Sequence, residues 1–66
     1  MEKEAGLVEY FEYEGLPARV RKGNFPILTN KRGVDVFMHD IEKFYRESHV
    51  ISMAKYTAMV NRLARH

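Results

Sequence analysis

Three turn signals in the first forty residues constrain this chain more than any other feature. Glu14-Gly15, Gly23-Asn24 and Asn30-Lys31-Arg32-Gly33 each combine glycine with residues that tolerate positive φ or hydrogen-bond their own backbone. The stretches they separate are short and rich in aromatic and β-branched residues, which is strand chemistry. Leu7 to Tyr13 comes first. Ala18 to Lys22 follows, opened by Pro17, with Ala18 and Val20 alternating with Arg19 and Arg21, so that the arginines are expected in solvent. Phe25 to Thr29 is third, and Pro26 confines its start to an edge or a strand end. Val34 to Met38 puts Val34, Val36 and Met38 on one face and Asp35 and Phe37 on the other. Connections this short join antiparallel neighbours, because a parallel crossover needs a dozen or more residues. The prediction is a four-stranded antiparallel meander.

Strand 1 carries apolar groups on both sides: Leu7, Phe11 and Tyr13 on one, Val8 and Tyr10 on the other. Something is therefore expected to cover the second face, and two short helices do not readily cover both.

From Asp40 onward the period changes. Asp40 reads as an N-cap, and Ile41, Phe44, Tyr45 and Ser48 fall at i, i+3, i+4 and i+7. Val50-Ile51 interrupts this helix, and Ser52 caps a second one with the stripe Met53, Tyr56, Met59, Val60 and Leu63. The fold class is α+β, a meander followed by two short helices (ββββαα). It forms a single domain over residues 1–66, of which 1–6 are read as a flexible lead-in.

At 66 residues a domain buries only about 60% of the surface its unfolded chain exposes, so a thin core or an oligomer is expected. With no cysteine, disulfides and thiolate metal sites are excluded, and a reducing, cytoplasmic setting is expected. No stretch has the length of a membrane span, and the charged start Met1-Glu2-Lys3-Glu4 lacks the apolar run of a signal peptide. No membrane partner is expected.

Net charge is +2, but it is unevenly placed. Residues 1–16 carry net −4, and residues 17–33 carry five bases and no acid: Arg19, Arg21, Lys22, Lys31 and Arg32. On a meander these five are expected to form one basic ribbon able to contact phosphates, with Arg62 and Arg65 adding to it. Against this, Glu12 and Glu14 are placed to lie across from Arg19 and Arg21 and neutralise part of the patch.

His39, His49 and His66 lack the spacing of a zinc site, so no metal is expected. No nucleophile–base order, glycine-rich phosphate loop or acidic pair is present; no catalytic residues, no cofactor and no small-molecule substrate are expected. The reading is a non-enzymatic binding module, nucleic-acid binding through the basic ribbon. The alternative is a protein-interaction module or homo-oligomer, docking through Val8 and Tyr10 on the outer face of strand 1 or through an exposed strand edge.

Overall fold

The computed structural model describes residues 8–65, so the lead-in expected at residues 1–6 and His66 lie outside the described residues. Four strands form the meander: β1 (Val8–Tyr13), β2 (Leu16–Arg21), β3 (Ile27–Thr29) and β4 (Asp35–Phe37). Helix α1 (Ile41–Glu47), strand β5 (His49–Ile51) and helix α2 (Met53–Ala64) follow. The fold is α+β, as the turn spacing predicts, with one addition. Val50-Ile51 does not merely separate two helices; it forms a fifth strand, antiparallel to β1, and the sheet order is β4-β3-β2-β1-β5.

The turns fix the register. Glu14 (φ 53) and Gly15 (φ 79) both have positive φ, as a two-residue hairpin turn matched to strand twist requires. That turn sets Tyr13 opposite Leu16, Tyr10 opposite Arg19 and Val8 opposite Arg21. The expected pairing of Glu12 and Glu14 with Arg19 and Arg21 therefore does not occur: Glu12 faces Pro17, and Glu14 is in the turn itself. Between β3 and β4, the Asn30 side-chain oxygen accepts from the Arg32 and Val34 amides at 2.9 and 3.0 Å, closing a turn that ends on Gly33.

The two helices lie on opposite faces of the sheet. On one face Phe11, Tyr13, Ala18 and Leu28 are buried, and α1 drops the fully buried Phe44 among them. Phe44 meets Phe11 at 5.3 Å and Tyr13 at 5.5 Å between ring centres. On the other face Tyr56 of α2 packs against Tyr10, ring centres 4.6 Å apart and planes tilted by 39°, and Lys55 pairs with Glu12 at 3.1 Å. The expectation that the helices cannot cover both faces is thus overturned. The reason is β5: it occupies the β1 edge, so the chain passes from one side of the sheet to the other between the helices. Asp40 and Ser52 cap the helices as their positions suggest, accepting from the Lys43 and Lys55 amides at 3.1 Å each.

Candidate interaction surfaces

The structure brings Arg19 and Arg21 together, beside one small cavity with Val8, Asn24 and Ile27, but does not gather all five basic residues at one place. In a meander, successive turns lie at opposite ends of the sheet, and β3 between them is three residues long, roughly 10 Å. Arg21 and Lys22 are exposed at one end, by the β2–β3 turn, and Lys31 and Arg32 are exposed at the other, in the β3–β4 turn. Arg62 and Arg65 are exposed at the last turn and C-cap of α2.

Arg19 lies between these ends and is already engaged. It is half-buried on the α2 face rather than free in solvent. Its guanidinium donates to the Tyr56 hydroxyl at 2.8 Å and reaches across β3 to Asp35 of β4 at 3.2 Å. Asp35 also accepts from the Thr29 hydroxyl at 2.7 Å. The Tyr56 hydrogen bond is the main influence raising the Arg19 pKa above its ordinary value, with Asp35 adding to it against the cost of burial. The Asp35 carboxyl is held below the usual carboxylate range first by the Thr29 hydroxyl and then by Arg19. This network ties three strands and α2 together, which is a structural task for the residue at the middle of the expected ribbon.

Tyr10 is likewise occupied, since its ring lies under Tyr56 and the side chain is half-buried; Val8 beside it is also half-buried. Helix α2 thus covers Tyr10, whereas Val8 lines two cavities that contain no α2 residue, one with Val20, Lys22 and Tyr45 and one with Arg19, Arg21 and Ile27.

A continuous exposed apolar strip runs along β4 and the residue before it. Val34 (52% exposed), Val36 (38%) and Phe37 (58%) run along it, and Phe37 continues into a shallow groove lined by Phe25, Ile41 and Asn24. Its backbone is open too. Val34 accepts from the Asn30 amide and Met38 donates to the Pro26 carbonyl, and Val36 pairs with Leu28, so the even residues turn their polar groups inward. By alternation Asp35 and Phe37 direct N–H and C=O outward, and nothing among the described residues pairs with them. Edges of this kind are commonly protected by lysine, proline or a bulge, none of which β4 has; its protection is its shortness and one charge, Asp35, which Arg19 already engages. The sequence names an exposed edge as a docking element but not which one. The signal was available: the last strand of a meander has one neighbour, and residues 34–38 alternate apolar groups without a protecting lysine.

The opposite edge, β5, exposes Val50 at 75% but is flanked at once by α1 and α2. Among the described residues no group of His, Asp and Glu is arranged to hold a metal ion, and no helix is long and apolar enough to cross a membrane. A scan against family models, a search of curated proteins and a search of solved structures each return no match to this chain.

Proposed function

We propose that this chain is a non-enzymatic protein-interaction module whose binding element is the open edge of β4. Its binding mode is strand addition: an extended segment of a protein pairs with Asp35 and Phe37 through its backbone. Its side chains rest on Val36 and in the groove beside Phe37. Backbone pairing supplies affinity in this mode, and the pockets alongside supply selectivity. The observation that carries the reading is the coincidence on one strand of outward-facing backbone groups with exposed apolar side chains. Nucleic-acid binding ranks second, because Arg21 and Lys22 stand at the other end of the sheet from Lys31 and Arg32, and Arg19 is held by Asp35.

The test is selection of a random-peptide display library on the full chain, counter-screened on Phe37→Pro. Proline removes one outward N–H from the edge without taking a donor from the β3 ladder. Binders lost on Phe37→Pro, and whose titration moves the Asp35 and Phe37 amide signals, support the reading. Binders that Phe37→Pro retains contradict it. In parallel, a short DNA duplex titrated at about 50 and 200 mM salt covers the phosphate-binding alternative. Shifts at Arg21 and Lys22 that vanish at the higher salt would put nucleic acid first.

A further inference from the structure

We infer that the strand taken up by β4 is β4 of a second copy, related by a two-fold axis through Val36; this rests on the strand-addition reading above. The edge is self-complementary in that register. Placing Val36 opposite Val36 of the second copy sets Asp35 against Phe37 twice over. All four outward backbone groups are then paired, each N–H donating to a C=O across the axis. Shifting the axis to Asp35 opposes two carboxylates, which is unfavourable. Shifting it to Phe37 brings in His39, whose C=O already accepts from the Ile41 amide at 3.1 Å.

The side chains agree with the same register. Faces are preserved across the axis, so Val34, Val36 and Met38 meet Met38, Val36 and Val34 in one apolar row. On the other face Phe37 meets an Asp35 whose charge is already compensated by Arg19. Continued past the strand end, the same register points Arg32 of one copy toward Asp40 of the other, a pair of opposite charge. A short strand and a few apolar side chains place this contact at the low end of protein interface sizes, so a reversible dimer is expected, with a dissociation constant between about 10 µM and 1 mM.

Sedimentation equilibrium of the full chain up to about 1 mM, with two variants, tests this. Phe37→Pro and, as a second route that leaves the strand backbone intact, Val36→Lys are each expected to weaken the dimer at least about tenfold, or about 1.4 kcal/mol, with unchanged far-UV dichroism. The chain has no native cysteine, so Val36→Cys is expected to form a disulfide dimer under mild oxidation. The pairing predicts a Cα separation of about 4.5 Å there, within disulfide range. A chain that stays monomeric through 1 mM overturns the second copy as occupant and leaves the edge to the selected peptides. A dimer indifferent to both variants, or cross-linked through Val50→Cys instead, overturns the β4 register and counts against the edge reading as well.

Discussion

The two faces of this sheet are closed by different means. Under α1 the contact is apolar and dry: Phe11, Tyr13, Ala18 and Leu28 surround a Phe44 with no solvent exposure. Under α2 no helix residue is buried; Tyr56, Met59, Val60 and Leu63 are half-buried, and to the Tyr10–Tyr56 ring contact are added polar contacts from Arg19 to Tyr56 and from Lys55 to Glu12. The shorter helix carries the core, and the longer one is tethered. Helix length is thus a poor guide to which element holds a small domain together. What matters is how completely one or two large side chains are enclosed.

The contrast is most easily broken at Phe44. Phe44→Ala removes the one aromatic that α1 contributes to the buried core and is expected to cost about 3–5 kcal/mol, a large share of the stability of so small a domain. Urea denaturation followed by far-UV dichroism should show a protein partly unfolded in buffer. If Phe44→Ala instead keeps a midpoint near the native one, the α1 face is not the core.

The tether should give a smaller and more local effect. Arg19→Ala is expected to cost about 1–2 kcal/mol while leaving the domain folded, and to speed amide exchange in α2 far more than in β1 and β2. Arg19→Lys should restore only part of this, since a single ammonium lacks the planar fork that serves Tyr56 and Asp35 together. Equal exchange increases in all elements would mean the two faces are not separable.

Acid should loosen the second face first. The folded-state pKa of Asp35 is depressed, so its contribution is present above the unfolded value near 3.9 and is lost as pH falls through the folded one. Because the carboxylate is half-exposed, the expected loss between about pH 4 and 2 is small. It should be absent from Asp35→Asn when the two chains are compared by thermal melts. Smallest of all is Lys55→Ala, which removes a pair between an exposed lysine and a half-buried Glu12 and is expected to shift stability by no more than about 1 kcal/mol.

Much of the architecture was legible because it is written locally. The three turns, the alternation at residues 34–38, and the caps Asp40 and Ser52 depend on neighbours a few residues away, and all are found where the residues place them. β5 was not legible. Val50-Ile51 has the β-branched chemistry of a strand, but three residues between two helices carry no turn signal, and the partner that makes them a strand, β1, lies far away in the chain. The same holds for the basic ribbon. Composition places five cations in one stretch, but antiparallel topology sends consecutive turns to opposite ends. The register that occupies Arg19 follows from the type of turn at Glu14-Gly15 and not from charge.

The position of β5 also sets an order of events in folding. β1 leads the meander, yet one of its two neighbours arrives only with residues 49–51. Until then the β1 strand is itself an open edge, with Tyr10 uncovered because Tyr56 comes later still. The β1–β2 hairpin and its sequels can form from near contacts, whereas closing β5 onto β1 requires looping most of the chain, which is the slow kind of contact. A nascent or truncated chain ending before residue 49 would therefore present the six-residue β1, with Tyr10 uncovered, as an edge in place of the three-residue β5.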